Sequence, residues 1–186
     1  MGRVRRIAGA GLHLMQGFAP YRYVGRRLAT RSVTIREATN AETQEVQRWL
    51  NPKGDPSRAL HRDPSVTNLV AFRLGQLAGS VHLVRHPPEH SPYVGYWLYS
   101  LCVKPLWRGL GVGQALGQAV IETARAEDAQ TLDLLVFNDN SPAIQLYRKL
   151  GFEMHVIAEL EPQLVGESIP SGRRRVGMRK RLEKQG

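Results

Sequence analysis

The stretch GYWLYSLCVKPLWRGLGVGQALGQAV, Gly95 to Val120, limits the fold more than any other part of the chain. Its first nine residues, Gly95 to about Val103, have the aromatic and apolar content of a strand. Gly109, Gly111 and Gly113 then lead without a break into helix formers. Leu116, Val120 and Ala124 fall on one face of a helix running from Gly113 to about Glu127, with Gln114, Gln118, Glu122 and Arg125 turned away. The next apolar run, TLDLLVF, returns the chain to the sheet. A strand-helix-strand crossover therefore lies in the middle of the sequence, and the sheet must accommodate it.

The segments before it read as antiparallel. SVTIREAT alternates Val33 and Ile35 against Thr34 and Arg36, a first strand. Thr39 and Glu42 form a capping-box pattern ahead of Val46, Trp49 and Leu50, which predicts a helix. NPKGDPSRALHRDPS is rich in turn formers, with room for one short helix at SRALHR. NLVAFRLGQLAGSVHLV places two apolar runs around Leu74-Gly75-Gln76 and predicts a hairpin. After TLDLLVF, SPAIQLYRKLG reads as a helix with Pro142 at its first position, Ala143, Leu146, Tyr147 and Leu150 as its stripe and Gly151 as its stop. FEMHVIAEL and RVGMRKRL are read as closing strands. The expected class is α/β (α+β): a mixed, mostly antiparallel sheet of six to seven strands, helices on both faces and one central β-α-β crossover.

With 186 residues, 42% apolar and 23% charged, the chain suits one domain with short appendages. The net charge of +10 is concentrated at the ends. Residues 1–36 carry eight Arg and no acid, residues 173–186 carry seven basic residues against Glu183, and the body between is mildly acidic. We expect a basic extension over 1–31, a domain over 32–183 and a tail over 184–186. No apolar run is long enough for a membrane-spanning helix. A single cysteine, Cys102, fits a reducing, cytoplasmic setting and reads as a buried strand residue. The Arg-rich N-terminus resembles an organelle transit peptide in composition but is nearly free of Ser, so a flexible basic arm is the favoured reading.

A strand that passes through glycines into a helix gathers main-chain N–H groups at the positive end of the helix dipole, where an anion binds. Gly109, Gly111 and Gly113 leave a phosphate free to approach the backbone, and Arg108 adds charge at the rim. A nucleotide P-loop is excluded, because Gly113 is followed by Gln114-Ala115 rather than Lys-Ser/Thr. A dinucleotide fingerprint beginning at Gly111 would need glycine where Leu116 stands. Spacing alone leaves two readings, a phosphate site and a bare turn.

The pattern V-x-P-x-x-R-G-x-G-x-G, Val103 to Gly113, resembles the acetyl-CoA signature of the GNAT superfamily of N-acetyltransferases, with Arg108, Gly111 and Gly113 matching its core. NSPAIQLYRKLGF, Asn140 to Phe152, resembles a later motif of the same superfamily. The resemblance covers roughly Val33 to Leu182. It implies that the backbone of Arg108, Gly109, Leu110, Gly111, Val112 and Gly113 holds the diphosphate of acetyl-CoA. It also implies that the strand ending at Leu101 and Val103 pairs with the pantetheine arm, that Asn140 contacts that arm, and that Tyr147 protonates the departing thiolate. Residue by residue, Tyr147 on an apolar stripe could equally be core, and Asn140 could equally be a helix cap.

The resemblance fails at the base. Many relatives carry a Glu on the strand before the glycine turn, whereas GYWLYSLCV has no carboxylate. Tyr96, Tyr99, Ser100, His82 and His86 are the available substitutes, Glu89 stands in a nearby loop, and an α-amine partly neutral at pH 7 needs no base at all. His82, His86 and His90 recur every fourth residue, but Pro87-Pro88 denies them a helix, and no metal site is expected. The expected activity is transfer of acetyl from acetyl-CoA to a primary amine of a small molecule or peptide by direct attack in a ternary complex, by a monomer or homodimer. The alternatives are a non-catalytic acyl-CoA sensor or scaffold, and a protein whose basic ends bind RNA or the ribosome.

Overall fold

The computed structural model describes residues 33–50 and 63–183, with the backbone alone for 167–171. In chain order these are β1 (Val33–Glu37), α1 (Asn40–Leu50), β2 (Val66–Arg73), β3 (Gln76–His86), β4 (Gly95–Val103), α2 (Val112–Ala126), β5 (Thr131–Phe137), α3 (Ser141–Lys149), β6 (Glu153–Met154), α4 (Glu161–Ser171) and β7 (Arg175–Arg181). The expected N-terminal extension and the short helix at SRALHR lie outside the described residues. No described helix is long and apolar enough to cross a membrane.

Local chemistry sets the early elements. The capping box of α1 forms as the sequence predicts: Thr39 N–H donates to Glu42 Oε2 at 2.8 Å, and Glu42 N–H donates to Thr39 Oγ1 at 3.4 Å. The β2–β3 hairpin turns through Leu74 and Gly75 with φ of 51° and 75°, the left-handed pair that matches strand twist.

The seven strands lie in the order β1-β2-β3-β4-β5-β7-β6. Every neighbouring pair is antiparallel except β4 and β5, which the α2 crossover makes parallel. Strand alternation separates two cores. On one face Ala71, Val81, Leu83, Leu98, Leu134 and Met178 pack with Val112, Leu116, Val120 and Ile121 of α2, and with Tyr147 of α3. On the other, Val70 and Leu77 meet Val46 of α1, while Trp97 meets Ile157, Leu160 and Leu164. Helices thus cover both faces.

One element departs from the expectation. FEMHVIAEL is a strand only at Glu153–Met154; its end forms a 3₁₀ turn at Ala158–Leu160, and helix α4 follows directly. His155 N–H still bonds Gly177 C=O at 2.9 Å, and beyond it the chain leaves the sheet. Ile157, Leu160 and Leu164 are spaced three and four apart, a helical stripe that Trp97 receives. Pro162 does not oppose the helix, because it sits in the first turn, where its missing N–H has no partner to lose.

Candidate active site

The parallel pair β4–β5 is in register only at Tyr96–Leu132 and Trp97–Asp133. Beyond these pairs β4 runs six more residues and β5 four, without a further pairing. A bulge in β4 lies within the unpaired stretch. Opposite β3, Tyr99 pairs with His82 and Cys102 with Ser80, so Ser100 and Leu101 together oppose Val81. Ser100 has φ of 52° and is exposed in mid-strand. The extra residue also resets alternation: Tyr96 and Leu98 face α2, and after the bulge Leu101 and Val103 do so. An opening edged by unpaired main chain results, between the C-terminal halves of two central strands. The sequence holds no signal for it, since a serine at positive φ cannot be told from any other strand serine.

The glycine turn closes one end of this opening. After the 3₁₀ turn Pro105–Trp107, Arg108 Nε–H donates back to Val103 C=O at 3.0 Å. Gly109 and Gly111 have φ of 72° and 86°, so both need the left-handed region, and a Cβ on Gly109 would meet nothing within 4 Å. Gly111 is the N-cap of α2, which begins at Val112. The first helical bond runs from Ala115 N–H to Gly111 C=O at 3.0 Å, so the N–H groups of Val112, Gly113 and Gln114 precede any helical acceptor. Gly113 is glycine for another reason. A Cβ there would lie 3.2 Å from Leu146 Cδ2 and 3.5 Å from Val103 Cγ2, so its bareness lets α2 approach α3 and β4.

Helix α3 begins at the C-terminal end of β5. Asn140 caps it, Oδ1 accepting from Ala143 N–H at 3.3 Å, so the cap reading holds. Tyr147 is 7% exposed, edge-on to Phe152 at 5.8 Å between ring centroids. Its phenol makes no hydrogen bond among the described residues. Burial, and then the charge of a Cys102 thiolate, push that phenol up to about 12. Cys102 is half-buried, and its own thiol is pushed up by burial against a smaller opposing pull from Arg108. It is a poor nucleophile there.

The substitutes for a base are scattered. Tyr96 lies at the far end of β4 and donates to Glu127 C=O at 3.3 Å, beyond the last turn of α2. His82 is 2% exposed and bonds Asn68 through Nδ1; burial pushes its imidazole down to about 4. Glu89 is exposed in the 3₁₀ turn Pro88–His90. Tyr99 and His86 stand together, Tyr99 Oη 3.5 Å from His86 Nε2, within a ring cluster that includes His90, Tyr93 and Trp97. Among the described residues no group of three His, Cys, Asp or Glu is placed to hold a metal ion.

A family model for the acetyltransferase (GNAT) family matches residues 29–152, more than half of the chain. The chain belongs to the GNAT superfamily of acetyl-CoA-dependent acetyltransferases. Among GNAT relatives, the L-amino acid N-acetyltransferase AaaT of Escherichia coli (strain K12) is 33% identical over 93 residues, covering 49% of this chain and 56% of that protein. The chain thus spans little more than half the length of that relative. A ribosomal-protein-alanine N-acetyltransferase from Brucella melitensis has a similar structure, with TM-score 0.63 and 24% identity over 80% of this chain and 99% of that one. A Bacillus subtilis acetyltransferase in complex with CoA gives TM-score 0.59 and 19% identity over 81% and 98%. At these identities the structures establish the GNAT fold.

Three of the C-terminal basic residues form ion pairs within this fold. Arg173 pairs with Asp139, Arg174 with Glu161 and Arg179 with Asp133. Three of the charges that suggested a nucleic-acid surface are thereby balanced by carboxylates.

Proposed function

We propose that the protein transfers the acetyl group of acetyl-CoA to a primary amine by direct attack in a ternary complex. The observation that carries this reading is the opening between β4 and β5, with the free amides of the glycine turn at the C-terminal end of β4 and the buried Tyr147 phenol close enough to Cys102 of β4 to feel its charge. The N–H groups from Gly109 to Gly113, with the Arg108 guanidinium, hold the diphosphate. The unpaired edge of β4 from Leu101 to Val103 offers main-chain donors and acceptors to the pantetheine arm, and a donor to the oxygen that gains charge during attack. Asn140, its Oδ1 used in capping, keeps its amide N–H₂ for the same arm.

Tyr147 gives its proton to the departing thiolate. A phenol pushed up to about 12 stays protonated at neutral pH and is a weak donor to a free thiolate in water. The burial that raises it raises the neighbouring Cys102 thiol too, so a thiolate formed here is also more basic. Donor and acceptor move together. The acceptor is an amino-acid or peptide amine, a reading supported by relatives named for an L-amino acid and a ribosomal-protein alanine.

The test is calorimetry with acetyl-CoA, followed by release of free CoA thiol in a screen of amino acids, polyamines, aminoglycosides and peptides with free N-termini. Tyr147→Phe should bind acetyl-CoA as the parent does and lose about 100-fold or more in turnover, the range of general acid catalysis. Unchanged turnover would remove Tyr147 from the chemistry. Binding without turnover of any amine in the parent would favour a sensor.

A further inference from the structure

The ring cluster beside the bulge holds a chain of exchangeable protons that the reading above does not use. Tyr99 is the residue immediately before the bulge at Ser100, and its side chain lies on the face of the sheet opposite α2 and α3. Its hydroxyl lies 3.5 Å from His86 Nε2, and His86 Nδ1 lies 3.4 Å from His90 Nδ1. The rings of His86 and Tyr99 meet edge to face at 6.0 Å, those of His86 and His90 at 5.6 Å. Tyr99 and His86 are half-buried and His90 is exposed, so the three groups descend from the sheet to solvent.

We propose that Tyr99, His86 and His90 form a proton relay that deprotonates the acceptor ammonium and stands in for the carboxylate absent from β4. Tyr99 touches the ammonium; His86 and His90 act through it. In the neutral His86 tautomer that the relay uses, the Tyr99 O–H donates to Nε2 and Nδ1–H points to His90. The Tyr99 oxygen takes a proton from the ammonium while its own proton passes to His86 Nε2. The products are a neutral amine and an imidazolium, which passes its Nδ1 proton to His90 and thence to water. Contacts near 3.4 Å are long for hydrogen bonds and tighten when substrate closes the site. The relay rests on the reading of the β4–β5 opening as the thioester site.

The surroundings suit the task. Burial and His90 lower the His86 imidazole, against a smaller opposing pull from Asp63, so it is neutral and ready to accept at pH 7. Burial and Tyr93 push the Tyr99 phenol up to about 12, against Arg175 of β7, so it passes a proton on without ionising. Among the described residues, His90, Asp63, Tyr93 and Arg175 are the charged and titratable groups acting on this pair.

Two small amines separate a relay from a structural role. Ethylamine is almost wholly protonated at pH 7 and must lose a proton before attack; methoxyamine is already neutral. On the full chain with acetyl-CoA, His86→Gln and Tyr99→Phe should each slow thiol release with ethylamine about 100-fold, as loss of a general base does. Both should leave the rate with methoxyamine and the calorimetric acetyl-CoA affinity unchanged. The parent's ethylamine rate should show an acid limb below the ordinary imidazole value of 6.5, absent in His86→Gln. Equal losses with both amines, no loss with either, or a parent that binds acetyl-CoA but does not acetylate ethylamine, would overturn the relay. Failure of the parent to bind acetyl-CoA would overturn the reading beneath it as well.

Discussion

Arg108 donates its Nε–H to the carbonyl of Val103 at 3.0 Å, fastening the glycine turn to the last residue of β4. One side chain thus links the strand proposed to face the thioester to the amides proposed to hold the diphosphate. Its two Nη groups make no hydrogen bond among the described residues, which leaves them for an anion. Arg108→Ala should weaken acetyl-CoA binding about 10- to 100-fold, the worth of about one charge-assisted hydrogen bond. Arg108→Lys, which keeps the charge and loses the fork, should recover part of it. Calorimetry on the three proteins decides.

Gly111 tests the amide nest separately from charge. At φ of 86° an alanine is strained, at a cost of about 1–2 kcal/mol. Gly111→Ala should lower the urea unfolding free energy by about that amount and weaken acetyl-CoA binding, because relief of the strain turns the amides away. A variant that keeps the parent's affinity would show that the left-handed N-cap is unnecessary for binding.

His82 should make stability depend on pH. Burial holds its imidazole at about 4 in the fold, against 6.5 when exposed. Between these values the unfolded chain binds a proton that the folded chain refuses. Stability is therefore full above pH 6.5 and falls as pH drops toward 4, by on the order of 3 kcal/mol across the window. Urea unfolding at pH 7 and 4.5 should show the loss in the parent and a smaller one in His82→Gln. Equal losses would place the titration elsewhere.

Asp133 is 1% exposed and accepts both bonds of a fork from Arg179, Nε to Oδ1 at 2.6 Å and Nη2 to Oδ2 at 2.8 Å. The two residues are cross-strand partners on β5 and β7. Arg179→Met leaves a buried carboxylate without its partner and should cost about 3–5 kcal/mol. The double variant Asp133→Leu, Arg179→Met should regain most of this, since no charge is then buried alone. Urea denaturation of both variants measures the difference.

Much of this was legible in the chain alone, for a common reason. Thr39 with Glu42, Leu74 with Gly75, Gly151 after α3 and the alternation in β2 to β4 act over a few residues, and local rules describe them. The two motifs around Gly111 and Tyr147 were legible for the same reason, being short and contiguous. The element misread, residues 155–160, has apolar positions that suit a strand or a helix, and only Trp97 on a distant strand favours the spacing that continues from Ile157 and Leu160 to Leu164.

The sequence by itself determined the mixed sheet, the crossover, the glycine turn into α2 and the family, because periodicity, turn chemistry and motif spacing are written along the chain. Only the tertiary structure decided which glycine serves what, Gly113 being bare for Leu146 and Val103 while Gly109 and Gly111 are bent to a positive φ. It alone parted β4 from β5 after Trp97, drew Tyr96 away from the opening, and set Tyr99 beside His86. These facts depend on pairing register and on side chains far apart in sequence, and no local rule carries the energy of a contact whose partner is not yet known.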